Sequence, residues 1–393
     1  MSDMPKTFCK APFKTAVVDT DGRLLPCCEY MTNESDLQPY KLNAENDWMF
    51  KEWWEKGLNP LRERMIKGEI DPGCRYCISK EQNAGYRSAR FNTNKKISDS
   101  YQKIIKDYQD GKRLYPKQIE LRLGNYCNLK CIMCGPYASN SIMAEYKKNK
   151  KTYNDFGITS NWEDPNMREN WYAYQHNEDI ALDVVSKASF IHFAGGEPFI
   201  NPKIFKLLEV TKPDTKISFN TNMTMISDKV LSALDKFEFV QIQASIDGVG
   251  PHNDYLRNGS RWNKIVENLK KCKNKKNIGI SINYVLQHTS LYTFENVINF
   301  VNEHNFELVI GVVYYGSVDG SGHLTINSAV KDDVDNFRRF LSANDFQQKS
   351  VVQSWVDSYI FDQKLHGRFK DYVKMLDSIR GTNFAKTFNP SWA

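Results

Sequence analysis

Residues 118–134, QIELRLGNYCNLKCIMC, decide the fold. The first half alternates polar and apolar side chains with the two-residue period of a strand. It runs into Gly124, and then Cys127, Cys131 and Cys134 follow at C-x3-C-x2-C spacing. The cysteines therefore sit on the loop at the C-terminal end of a strand, where barrels of alternating strands and helices carry their chemistry. Three thiolates can hold three irons of a 4Fe–4S cube and leave the fourth iron open, whereas four would close it. A zinc knuckle is the structural alternative, but it wants a fourth Cys or His nearby, and none follows at the right distance.

From residue 117 onward, strands and helices alternate. The pattern predicts strands at 118–124, 190–195, 216–222, 240–247, 278–286 and 308–315, with helices at 139–150, 202–211, 227–237, 262–273 and 291–305. Such alternation implies right-handed βαβ units and a parallel sheet. Six repeats are too few for a closed eight-stranded barrel, so the expected fold is α/β, an open partial (β/α)6 barrel. Residues 316–393 read as a glycine-containing loop followed by two or three helices. One strand face is repeatedly polar: Glu120 and Arg122; Ser218, Asn220 and Asn222; Gln241, Gln243 and Ser245; Ser281 and Asn283. A parallel sheet buried on both faces reads as apolar runs. A polar inner face points instead to a cavity for polar ligands and water, or to a satisfied internal network.

The 393 residues are 41% hydrophobic, 25% charged and 13% aromatic, which is a globular composition. No apolar run approaches the length of a membrane span, and MSDMPKTFCK has no apolar core of a secretory signal. The net charge is +6. Lysines cluster at 147–151 and 270–276, which fits solvated helix faces; a nucleic-acid footprint would favour a denser stripe of Arg and aromatics. Nine cysteines form no disulfide framework, because the count is odd and eight of them fall by residue 134. Clustered cysteines in a reducing compartment bind metal.

A second constellation lies N-terminal to the barrel. Cys9, Gly22 and Cys27 follow a C-x12-G-x4-C pattern, and Cys74 and Cys77 form C-x2-C. Turn signals stand at Asp21-Gly22 and Asp71-Pro72-Gly73, with an aromatic, helical stretch at 48–65 between them. Four cysteines in two pairs also suit a zinc ribbon. Cys28 adjoins Cys27, and either could be a ligand, with the glycine spacing favouring Cys27. Cys272, alone in a lysine-rich helix, reads as a bystander.

Taken in order, these motifs resemble the radical S-adenosylmethionine (SAM) superfamily over residues 117–315. The resemblance implies a 4Fe–4S cluster on Cys127, Cys131 and Cys134, whose open iron binds the amino and carboxylate groups of SAM. Gly195-Gly196-Glu197-Pro198 looks like the family's GGEP motif, which contacts the methionine amino group. Asn220-Thr221-Asn222 resembles the third-strand Thr-Asn-Gly element, with Met223 where glycine is usual. Ser245, Asp247 and Arg257 resemble the element whose Ser meets the ribose and whose Arg faces the carboxylate. The N-terminal pattern is similar to the Twitch form of the SPASM domain, which implies an auxiliary 4Fe–4S cluster on Cys9, Cys27, Cys74 and Cys77. In the family that module usually follows the barrel; here it precedes it. The domains expected are 1–95 (auxiliary cluster), 96–116 (a basic connecting helix), 117–315 (partial barrel) and 316–393 (helical extension).

The implied activity is reductive cleavage of SAM, hydrogen abstraction from a polar substrate and net two-electron oxidation through the auxiliary cluster. Peptide maturation, transfer-RNA modification and a non-catalytic iron–sulfur scaffold are the alternatives. The implied partners are a polar small molecule or peptide and an external donor such as flavodoxin or ferredoxin, in the cytoplasm, with neither nucleic acid nor membrane. Oxidation also needs a proton acceptor. Glu120, His192, Asp247 and Tyr314 are candidates, and none of them is singled out.

Overall fold

The computed structural model describes residues 4–43, 49–83, 88–112, 115–157, 171–313 and 322–392. Its strands in chain order are β1 (Thr15–Val18), β2 (Leu24–Leu25), β3 (Gln118–Arg122), β4 (Lys130–Cys131), β5 (Phe190–Ala194), β6 (Lys216–Thr221), β7 (Val240–Ser245), β8 (Arg257–Asn258), β9 (Ile278–Leu286) and β10 (Glu307–Val312). Eight of them form one sheet in the order β10-β9-β7-β6-β5-β3-β1-β2, and β4 pairs with β8 in a separate ribbon. All six expected strands are present in a mixed α/β fold with a parallel sheet. Tyr314 and Tyr315, at the end of the last expected strand, lie outside the described residues.

The sheet holds two strands more than expected. β1 pairs in parallel with β3, Thr15 opposite Gln118 and Val18 opposite Leu121, and β2 folds back antiparallel on β1. The turn between them closes with Gly22 N donating to Asp19 O at 2.8 Å, and Gly22 sits at φ 89°, where a side chain would be strained. A Cβ there would also stand 2.5 Å from Leu42 O. The hairpin between Cys9 and Cys27 is thus part of the sheet.

The chain divides into two compact units. The first comprises Met1–Gly124, Glu169–Ser218 and Ala233–Phe239. In it, β3 and β5 pair in parallel with Glu120 opposite His192. The apolar residues Ile119, Leu121, Ile191 and Phe193 are buried. The 48–65 stretch becomes a helix at Met49–Glu52, a π-turn at Trp53–Gly57 and a helix at Asn59–Lys67; Trp48 lies outside the described residues. Buried Arg62 ties this stretch to the hairpin, donating to Pro12 O at 2.9 Å and Trp54 O at 2.7 Å. Within 96–116 the described residues hold one helix, Tyr101–Gln109, started by the Ser100 cap, and a separate helix, Ala89–Lys96, capped by Ser88, precedes it.

The second unit comprises Asn125–Arg168, Phe219–Ser232 and Val240–Ala393. β7 and β9 pair in parallel, Gln243 opposite Ser281, and β10 adds beyond β9. The inner face is polar as expected: Gln241 Nε2 donates to Ser281 Oγ at 3.1 Å. Among the described residues the C-terminal region holds four helices rather than two or three: Lys331–Ala343, Lys349–Asp357, Gln363–Arg380 and Phe384–Phe388. Asn383 starts the last by accepting from Lys386 N. No helix among the described residues is long and apolar enough to cross a membrane.

Candidate metal centres and cofactor site

The C-x3-C-x2-C loop belongs to the second unit, and its backbone is held from several sides. Asn140 Oδ1 accepts from Cys127 N at 2.9 Å, and Ser141 Oγ donates to Cys127 O at 2.7 Å. Ser139 caps the following helix and donates to Leu129 O at 2.7 Å. Cys131, on β4, stands opposite Arg257 on β8, and Ile132 N donates to Leu256 O at 2.9 Å. A hydrogen bond between the Cys131 and Cys134 thiols lowers the first and raises the second, and the Arg257 charge lowers both.

Arg257 is 8% exposed and Asp247 1%. Arg257 Nη2 lies 2.6 Å from Asp247 Oδ2, and Nη1 reaches Cys131 Sγ at 3.9 Å. Asp247 Oδ1 accepts from Val285 N at 3.0 Å, so the carboxylate joins β9 to the arginine. Asn222 Nδ2 donates to Asn128 Oδ1 at 3.0 Å and approaches Cys127 Sγ at 3.9 Å. Met223 adopts φ 63°, the left-handed region that favours glycine. The strain is held by Asn268 Nδ2, which donates to Met223 O at 2.6 Å. Asn220 Oδ1 is buried without a hydrogen-bond partner among the described residues. Ser245 ends β7, half-buried.

The C-terminal helices support this loop. Ile132 and Met133 pack in one cluster with Phe369, Tyr372, Val373 and Leu376, and Tyr372 Oη donates to Ile132 O at 2.7 Å. Burial would raise the Glu145 carboxyl, but Arg380, Lys130 and Tyr153 outweigh it and hold it low. Arg380 Nη2 lies 2.8 Å and Lys130 Nζ 2.6 Å from this carboxylate.

Gly195 to Pro198 belong to the first unit. Gly195 has φ 72° and Gly196 φ 47°. A Cβ on Gly195 would stand 2.6 Å from Arg122 Cβ, so the chain there tolerates no side chain. Glu197, 1% exposed, caps the short turn Pro198–Ile200 by accepting from Phe199 N at 3.3 Å. Arg122 is clamped between Glu120 (2.7 Å) and Asp19 (2.9 Å).

The N-terminal cysteines, also in the first unit, converge. Cys9, Cys27, Cys74 and Cys77 all line one pocket, together with Tyr30, Ile78 and Arg90. Asp71 caps the turn Pro72–Cys74 by accepting from Gly73 N. Cys74 and Cys77 thus lie three residues apart at a helix start, on one face. Burial pushes the Cys9 thiol up to about 12 and Cys77 to about 11, and raises Cys27 and Cys74 as well. Four neutral thiols crowded in one pocket are poor neighbours as bare thiolates, and a cationic group bound among them removes that conflict. Among the described residues, no three His, Cys, Asp or Glu side chains are arranged to hold a single metal ion. Cys28 is exposed and outside the cavity lining. Cys272 is buried on the core side of its helix, Trp262–Lys273.

Of the four proton-acceptor candidates, Asp247 is committed to Arg257 and Val285, and Glu120 to Arg122. Burial lowers the His192 imidazole, partly countered by Glu120. Tyr314 lies outside the described residues. Sequence reasoning missed Asn128, Asn140, Tyr372 and the Glu145–Arg380 pair as supports of the cysteine loop. Only Ser139, three residues before Ile142 at the head of an apolar helix, left a capping signal.

Residues 121–301 match the Radical SAM superfamily model. A sequence search of curated proteins found no match. Among solved structures, Streptococcus suis SuiB is 14% identical, over 86% of this chain and 68% of that one, with a TM-score of 0.38. A structure of anSMEcpe with bound AdoMet and the Cp18Cys peptide is 18% identical, over 57% of this chain and 58% of that one, at 0.38. TYW1 with a lysine-pyruvate adduct is 14% identical, over 58% and 74%, at 0.33. The alignment spans less than two thirds of the anSMEcpe chain.

Proposed function

We propose, from the match of residues 121–301 to the Radical SAM superfamily model, that this chain is an enzyme that cleaves SAM reductively and oxidises a polar small molecule or peptide by two electrons. Cys127, Cys131 and Cys134 would hold the SAM-binding 4Fe–4S cluster, and Cys9, Cys27, Cys74 and Cys77 an auxiliary one. When bound, the open cluster would supply the electron for dividing SAM into methionine and a hydrogen-abstracting radical, and the four-cysteine cluster would offer an acceptor for the substrate's second electron.

The observation that carries the oxidative reading is the convergence of four cysteines on one cavity. Four thiolates leave no open iron, so that site suits electron transfer rather than substrate binding. The other residues have separable tasks. Arg257, oriented by Asp247, offers a guanidinium fork to the SAM carboxylate. Gly195 and Gly196 let the backbone approach a ligand, and Glu197 and Pro198 shape the turn that presents a carboxylate to the ammonium. Ser245 offers its hydroxyl to the ribose, and Asn220 a bare acceptor on the inner face. An electron donor of the flavodoxin or ferredoxin kind would reduce the open cluster.

Anaerobic reconstitution with iron and sulfide, then reduction in the presence of SAM, tests the reading. About eight irons per chain and release of 5′-deoxyadenosine are expected. A metabolite extract should then show a species lighter by two hydrogens. Absence of 5′-deoxyadenosine removes the enzyme reading, and four irons with all cysteines intact removes the auxiliary cluster.

A further inference from the structure

The helix Asn140–Lys148 leaves the cysteine loop with one face buried and one open. Ile142, Met143 and Tyr146 pack in the same cluster as Cys131, and Cys127 and Cys134 lie against it. The opposite face exposes Asn140, Ala144, Lys147 and Lys148, the spacing of one side of a helix. The next helix, Lys150–Phe156, starts at once and exposes Lys150 and Lys151. Glu145, the only acid on the first helix, is buried and taken by Lys130 and Arg380. Asp155 is the only acid on the second. Four exposed lysines therefore stand against one exposed acid over residues 140–156, and neither helix carries an arginine.

The other end of this stripe meets the cysteine loop. Asn140 Oδ1 accepts from Cys127 N at 2.9 Å, and Asn140 N donates to Asn125 O at 2.8 Å. Asn125 Nδ2 donates to Pro136 O at 2.8 Å, so the segments bearing Tyr126 and Tyr137 are joined. Tyr126 is 42% exposed and Tyr137 46%, and Cys127 beside them is half-buried. From Asn140 to Lys147 the helix rises roughly 10 Å. Within that span the surface passes from two exposed aromatic rings at the cysteine loop to a group of lysines.

Transient redox partners meet on small faces, and protein interfaces place apolar and aromatic groups centrally within a polar rim. Rim charges govern how fast the partners find each other and make that rate depend on salt. The reaction proposed above draws one electron from outside for each SAM cleaved. We propose that Tyr126, Tyr137, Lys147, Lys148, Lys150 and Lys151 form the docking face for an acidic one-electron carrier protein. One electron passes from the reduced carrier to the cluster on Cys127, Cys131 and Cys134. The carrier is oxidised by one electron and the cluster reduced by one, and no bond forms or breaks in that step. The proposal rests on the SAM-cleaving reading above. Nucleic acid is the other occupant that lysines suit, but its footprint favours arginine, and these two helices have none.

The test compares two reductants on reconstituted, iron-loaded protein: dithionite, a small ion that needs no docking face, and reduced flavodoxin. Release of 5′-deoxyadenosine is the readout. Lys147→Glu with Lys148→Glu should keep the dithionite-driven rate within about twofold and lose roughly tenfold of the flavodoxin-driven rate at low salt. Lys147→Arg with Lys148→Arg should keep both rates. For wild type, raising salt to about 0.3 M should slow the flavodoxin-driven reaction and spare the other. A control pair, Lys270→Glu with Lys276→Glu, makes the same charge change ahead of β9, at the strand end away from Val285, and should leave both rates unchanged. If the first pair keeps the flavodoxin-driven rate, if the control pair loses it equally, or if dithionite-driven cleavage falls as well, the proposal is overturned. Retention of RNA by wild type that the first pair loses, with the flavodoxin-driven rate unchanged, assigns the lysines to nucleic acid instead. If wild type forms no 5′-deoxyadenosine with dithionite, the SAM reading itself fails and takes this one with it.

Discussion

Arg257 faces Cys131 across the β4–β8 ribbon, and the same guanidinium lies 2.6 Å from the buried Asp247 carboxylate. One side chain therefore answers both a sulfur of the cysteine loop and the acid that links it to β9. Replacing Arg257 by Met should strand Asp247 as an unpaired buried charge and cost about 3–5 kcal/mol in denaturant unfolding. Arg257→Lys, which keeps the charge, should cost less. A loss below about 1 kcal/mol for the Met variant would show that Asp247 finds another partner.

The triple substitution of Cys127, Cys131 and Cys134 by Ala should abolish 5′-deoxyadenosine formation. Iron should fall from about eight to about four per chain, one cube having been removed. Continued cleavage of SAM would assign the chemistry elsewhere.

Cys27 and Cys28 are neighbours in sequence, but only Cys27 lines the cavity with Cys9, Cys74 and Cys77. Cys28→Ala should leave the iron count unchanged, whereas Cys27→Ala or the pair Cys74→Ala, Cys77→Ala should lower it to about four. The double variant should also be cut faster by protease within residues 1–95, since metal ligation adds folding energy there. It should still cleave SAM while failing to oxidise substrate. Equal iron loss from the Cys27 and Cys28 variants would refute the distinction.

Tyr372→Phe removes the hydroxyl that donates to Ile132 O and leaves that carbonyl bare. A loss of about 1–3 kcal/mol in stability is expected. Weaker retention of the SAM-cluster iron on dilution should accompany it, measured against wild type.

His288 is fully buried, stacked on Phe369 with ring centroids 3.7 Å apart, and its Nδ1 lies 2.7 Å from Ser328 Oγ. Burial holds its imidazole well below the usual range, and His366 and His323 push the same way. Tyr292, 3.3 Å from Nε2, is itself bonded to Asp333. Below about pH 6.5 the unfolded chain takes up a proton that the folded chain refuses. Stability is thus present above that pH and lost as pH falls toward the depressed value, by up to about 1.4 kcal/mol per pH unit. Denaturant midpoints at pH 7.5 and 5.5 should show this, and His288→Leu should flatten the difference. An unchanged slope in the variant would place the proton uptake elsewhere.

The barrel strands were legible because Gln118–Arg122 and Val240–Ser245 each keep the two-residue period along their length. The helix Trp262–Lys273 was legible to its last residue, since its apolar stripe of Ile265, Leu269 and Cys272 has helical spacing. β1 was not, because Thr-Ala-Val-Val is too short to declare its partner, and that partner lies far along the chain. The cysteine spacings marked both groups of cysteines. They could not show that Tyr372, more than two hundred residues downstream of Ile132, holds the loop carbonyl, since a lone tyrosine in a helix carries no periodic mark.

The register of Thr15 against Gln118 sets an order of events at the ribosome. About a hundred residues must be synthesised after β1 before its parallel partner exists, which at ~5–20 residues per second is roughly 5–20 seconds. Throughout that interval Cys9 and Cys27 flank a hairpin with an open edge, so thiol chemistry and strand-to-strand association compete with folding. Iron delivered before β3 emerges would meet an unfinished pocket. The nascent chain is therefore expected to depend on a reducing environment, and on the speed of elongation between residues 28 and 118, more than the finished protein does.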